Sequence, residues 1–224
     1  MKKLILVVCF CLLGGAVLSQ NYTNKQFALI NYDLKITDHF REDIAPLESY
    51  INTVKIHNKE ADDRLKAILI HHLYYNMTPR LERALEISIL PINTFMEEIR
   101  YNDFGYPNTS INKALRKGNA PFFFKLEVTL DSQTQEKRKE NPDLPSGITL
   151  PHFIIDITVY NDEGIISVDK WHGEQAVKQP LKADKRLFSG FVGERELSTD
   201  TTLTTLSGLY DQAVTNMINS HLNE

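Results

Sequence analysis

HFIIDITVYNDEGIISVDKWHGE, residues His152 to Glu174, alternates apolar and polar positions on either side of a polar turn. Phe153, Ile155, Ile157 and Val159 share one side, while Ile154, Asp156, Thr158 and Tyr160 share the other. That period of two marks a half-buried strand. Asn161-Asp162-Glu163-Gly164 is turn chemistry, and from Ile165 a second strand resumes with Ile166 and Val168 inward and Ser167, Asp169 and Trp171 outward. The segment reads as an antiparallel hairpin. A loop of two or four residues sets its register, with Ile157 opposite Val168, Thr158 opposite Ser167 and Asp156 opposite Asp169.

This register brings two carboxylates together on the polar face. Directly opposed like charges destabilise a strand pair and raise the pKa of one partner, so such a pair suits a bound cation or a shared proton. Immediately upstream, FFFKLEVTLD, residues Phe122 to Asp131, is the clearest strand of the chain. Phe122, Phe124, Leu126, Val128 and Leu130 face the core; Phe123, Lys125, Glu127, Thr129 and Asp131 face away. Lys125, beside Glu127, is placed to neutralise the carboxylate pair on a wet surface, and Trp171 to cover surface beside Ile154. The candidate ion- or ligand-binding set is therefore Asp156, Asp169, Lys125, Glu127 and Trp171. No catalytic residue, metal ligand or cofactor is assigned. Asp169 and His172, three apart in a strand, point to opposite faces and form no dyad.

Helices surround these strands. Thr37-Asp38 opens one, Pro46 to Val54 reads as a short amphipathic one, and Leu65, Ile68, Leu69, His72 and Leu73 recur at helical spacing up to Tyr75. Thr78-Pro79 then supplies an N-cap and a first-position proline for a separate helix. Ser110 caps Ile111 to Lys117, which Gly118 ends. A last helix, capped near Asp200, carries Leu203, Leu206, Tyr210, Ala213, Met217 and His221 on one stripe. Asn31 to Ile36 reads as a short strand or arm, Ile87 to Ile92 as a short strand, Gln133 to Ser146 as a mobile loop, and Phe188 to Val192 as one more short strand.

The fold expected is α+β: a mainly antiparallel sheet with helices on one face, a single compact domain over residues 59–224 preceded by an arm and short helix over 20–58. Residues 1–19 are read as a signal peptide. Lys2 and Lys3 precede an apolar run, and small residues lead to a cleavage point after Ser19. The run is shorter than the roughly 20 residues a membrane span needs. Both cysteines, Cys9 and Cys11, fall within it, so the exported product would rest on its core without disulfides. Losing Lys2 and Lys3 makes the chain more acidic than its formal charge of −4, a poor match for nucleic acid.

Other chemistries find no motif. Adjacent His71 and His72 diverge on a helix, where a zinc pair needs spacing of three or four; His72 falls on the apolar stripe and reads as a core or boundary residue. No G-x-S-x-G elbow, P-loop or dinucleotide fingerprint is present.

Between Ile87 and Leu222 the element order, the strand end Ile89-Leu90-Pro91 and the basic helix end Arg116-Lys117-Gly118 resemble small modules of bacterial envelope proteins. These are the N-terminal domain of TolB and the auxiliary lipoproteins of ABC-type lipid transporters. The resemblance implies an exported, periplasmic or secreted, non-catalytic accessory whose partner is a protein or another envelope component. The alternative is a metal-dependent or acid/base hydrolase using the paired carboxylates.

Overall fold

The structure, a computed structural model, describes residues 22–56, 62–95, 98–117, 120–191 and 203–223. The expected signal peptide and the cap positions Gly118 and Asp200 lie outside them. The described residues form seven strands: β1 (Gln26–Ile36), β2 (Ser88–Ile89), β3 (Phe122–Ser132), β4 (Ile148–Thr149), β5 (Pro151–Asn161), β6 (Asp169–Ala176) and β7 (Leu181–Lys182). Five make one sheet in the order β2-β1-β3-β5-β6, and β4 pairs with β7. β3, β5 and β6 are antiparallel neighbours, whereas β1 runs parallel to β2 and β3. The segment read as a short strand or arm is thus a strand of 11 residues inside the sheet.

The helices are α1 (Asp38–Ile44), α2 (Glu48–Thr53), α3 (Arg64–Leu85), α4 (Ile111–Lys117), α5 (Thr134–Glu140) and α6 (Leu206–Leu222). Thr37 caps α1 by accepting from the Phe40 N–H, and Thr205 caps α6. α3 and α6 cover one face of the sheet. Leu69, Ile70, Leu73 and Met77 of α3 and Leu209, Tyr210, Ala213 and Met217 of α6 meet Leu126, Val128, Phe153, Ile155 and Ile157 in the main core. Each such large apolar side chain contributes about 1.5–3 kcal/mol by leaving water. The long helices on one face of a largely antiparallel sheet are the α+β arrangement expected.

Several local expectations need correction. α3 runs unbroken through Pro79, because Met77, Thr78 and Leu81 all bury against the core and outweigh a proline penalty of about 3 kcal/mol. Residues 134–140, read as loop, form α5, and Lys185–Phe188 is a 3-10 turn where a strand was expected nearby. Phe123 points away from the main core yet is only 1% exposed. It packs with Ala28, Ile30, Phe95, Ile99, Ile111, Ala114 and Tyr160 in a second cluster that covers one end of the outer face.

The hairpin register is the correction with most consequence. Asp156 pairs with His172, Ile157 with Trp171 and Val159 with Asp169. The loop runs from Asp162 to Val168, and the Val168 N–H still reaches the Val159 carbonyl at 2.9 Å. Ile166 and Val168, expected inward, are 81% and 37% exposed. Relative to the expected pairing β6 has slipped by three positions. An odd slip sends every side chain of the strand to the opposite face.

Candidate functional site

Because of that slip Asp156 and Asp169 lie on opposite faces of the sheet. Asp156 stays on the outer face with its strand neighbours, opposite Glu127 of β3 and His172 of β6. Asp33 of β1 continues the line, so Asp33, Glu127, Asp156 and His172 form one row across four strands. The adjoining row is Asn31, Lys125, Thr158 and Lys170, and on the other side lie Lys35, Thr129, Ile154 and Glu174. Lys125 and Glu127 therefore stand beside Asp156, as expected; Asp169 and Trp171 do not.

The acidic row has partners at both ends. Lys66 Nζ lies 2.9 Å from Asp33, and His172 Nδ1 lies 2.8 Å from Asp156. A second cross-strand pair, His152 with Glu174 at 3.2 Å, lies on the same face. Lys125 leans over the Tyr160 ring, 5.6 Å from its centroid, and away from Glu127. Asp156 and His172 have side chains 51% and 57% exposed, so water screens the pair and it contributes at most about 1 kcal/mol. Sequence reasoning missed His152 and His172. Parity alone placed His152 outward with Asp156, but His172 needed the true loop length.

On the inner face Asp169 anchors a different group. Its Oδ2 accepts from the Tyr22 hydroxyl and the Trp171 indole N–H, both at 2.9 Å, and its Oδ1 accepts from the Lys170 N–H at 2.7 Å. His221 near the end of α6 lies 3.8 Å from the same Oδ2. Burial first, and then the bond to Asp169, push the Tyr22 hydroxyl far above its ordinary range, so it remains a proton donor. Trp171 is 3% exposed and sits against Tyr22, Phe27 and His221. This cluster ties the first described residue to β6 and to the last helix.

Two grooves among the described residues lie away from these groups. A groove of about 510 Å³ is lined by Arg41, Ile44, Glu48, Asp63 and Arg64, and another of about 330 Å³ by Gln133, Lys137, Leu150 and Pro180. Neither touches Lys125, Glu127, Asp156 or Asp169. Among the described residues no group of three or more His, Cys, Asp or Glu side chains is placed to hold a metal ion. The buried Ser132 hydroxyl meets Asp43, Thr134, Thr149 and the Leu150 backbone, partners that pin the end of β3 to β4.

No protein-family model matches the chain. No curated protein matches it either. Among solved structures the matches are remote. Lipoprotein GNA1162 from Neisseria meningitidis matches at 8% identity and a TM-score of 0.44, over 89% of this chain and 99% of that one. The hypothetical protein CT253 from Chlamydia trachomatis matches at 8% identity and 0.41, over 90% and 95%. A protein from Caulobacter crescentus matches at 13% and 0.29, over 80% and 93%. These neighbours are bacterial proteins, remote in sequence and with TM-scores below 0.5.

Proposed function

We propose that this chain is a non-catalytic binding or accessory protein exported to the bacterial cell envelope, which holds a protein or another envelope component on the outer face of its sheet. The observation that supports this is the setting of Glu127, Asp156 and His172. They stand on an open, hydrated surface, whereas catalytic carboxylates work in concave sites that exclude water. The N-terminal pattern of residues 1–19 supports export, and no helix among the described residues is long and apolar enough to cross a membrane. A hydrolase that used Asp156 and Asp169 as a couple would need them on one face, and they are on two.

The test is capture from bacterial envelope extract on immobilised mature protein, comparing wild type with Glu127→Arg and Asp156→Arg. A component held by wild type and lost by both variants supports the reading. Equal capture by all three overturns it.

A further inference from the structure

The outer face is half covered and half open, and its charges alternate by row. At one end Phe123 and Tyr160 lie under Phe95, Ile99, Ile111 and Ala114. Beyond them come the basic row with Lys125 and Lys170, the acidic row with Glu127 and Asp156, and the row of Thr129 and Ile154. Glu127, Asp156 and Lys170 are exposed, and Lys125 and Thr158 are half-buried. Building on the proposal that this face is an interaction surface, we infer that its occupant is a second copy of the same chain, packed face to face about a two-fold axis.

On β3 and β5 the charge pattern is self-complementary for one axis, that lying in the face, parallel to the rows and between the basic and acidic ones. A half-turn about it keeps each strand over its own counterpart and exchanges the two rows. Lys125 then meets the second copy's Glu127, and the Thr158 hydroxyl meets the second copy's Asp156, each contact made twice as symmetry requires. The carboxylates that repel one another across β3 and β5 within one chain both gain a donor. An axis parallel to the strands would instead set Glu127 on the other copy's Asp156, so the pattern selects one geometry.

The covered end fits the same arrangement. Facing sheets pack about 10 Å apart, close to the thickness of one helical layer. The cover on Phe123 and Tyr160 of each copy would therefore occupy the space above Thr129 and Ile154 of the other. Four strands about 4.8 Å apart and three rows spaced at about 6.8 Å give roughly 400 Å² of flat contact per copy. A stable interface takes about 800 Å² per partner, so the dimer is weak, reversible and salt-sensitive.

Sedimentation equilibrium of the mature protein at low and high salt tests this, with circular dichroism melts to establish that each variant is folded. Wild type should dimerise at low salt and dissociate as salt rises. Lys125→Glu and Glu127→Lys, each of which sets like charges against each other, should each weaken association about tenfold or more. Combining them restores opposite charges, so the double variant should return to within about threefold of wild type. A chain monomeric at every concentration, a dimer indifferent to the single changes, or a double variant that fails to recover would each overturn the inference. If wild type is monomeric yet its capture of an envelope component is lost in Glu127→Arg, the self-association fails while the reading of the face stands.

Discussion

Gly173 lies directly beneath Met217. A Cβ built on it would overlap the Met217 Cβ and come within 2.5 Å of the Ala213 carbonyl oxygen and 2.7 Å of the Met217 nitrogen. α6 therefore rests backbone to backbone on the edge strand, and the side chain of Asn216 reaches over to the Glu174 carbonyl at 2.8 Å. That contact helps close an edge that would otherwise offer itself to other strands. Gly173→Ala must push the helix away, with a cost of about 1–3 kcal/mol or more. Denaturant unfolding would measure it; an unchanged midpoint would show that the approach is looser than described.

Phe123 and Phe124 point to opposite faces and are each 1% exposed. Alternation alone predicts that Phe123 matters less than Phe124. With both faces covered at this end of β3, truncation of either to Ala should cost about 3–5 kcal/mol. A large loss for Phe124→Ala beside a negligible one for Phe123→Ala would remove the second cluster from the folded state.

Asp169 is a half-buried anchor, and its removal should be felt. Asp169→Ala leaves the Tyr22 hydroxyl and the Trp171 indole N–H without their acceptor, a loss of about 1–3 kcal/mol. Tyr22→Phe removes one donor and leaves the indole bond, and should cost less. Trp171 is the chain's single tryptophan, so its fluorescence reports directly on this group. The expected outcome is a shifted emission in Asp169→Ala with the fold retained by circular dichroism.

His72 sets an expected acid sensitivity. Its Nε2 is buried without a hydrogen-bond partner among the described residues, its ring packs 4.5 Å from that of Phe191, and burial lowers its pKa from 6.5. The unfolded chain thus takes up a proton at a higher pH than the folded one. Stability from this residue is complete above about pH 6.5 and falls as the pH drops from there toward the lowered folded value. His72→Leu should flatten the decline of the melting temperature between pH 7 and 5, and an identical slope in the variant would assign the sensitivity to other groups.

Much of this protein was legible in the order of its residues. Alternation in residues 122–130 and 153–159 determined which side chains face the core, since a strand allows only two directions. Thr37 and the stripe of Leu206, Tyr210, Ala213 and Met217 located helices by local chemistry. The sequence also named Lys125, Glu127 and Asp156 as neighbours on one polar face. What it could not decide was how far β6 slides along β5. That depends on a loop whose Ile165 and Ile166 look like strand residues yet are exposed, and on the fit of Trp171 and Gly173 under Tyr22 and Met217. These contacts lie between residues more than forty positions apart, and only packing in three dimensions brings them together. A slip of three positions costs the strand no local propensity, but it exchanged the carboxylate pair expected across the hairpin for Asp156 with His172 on one face and Asp169 with Tyr22 on the other.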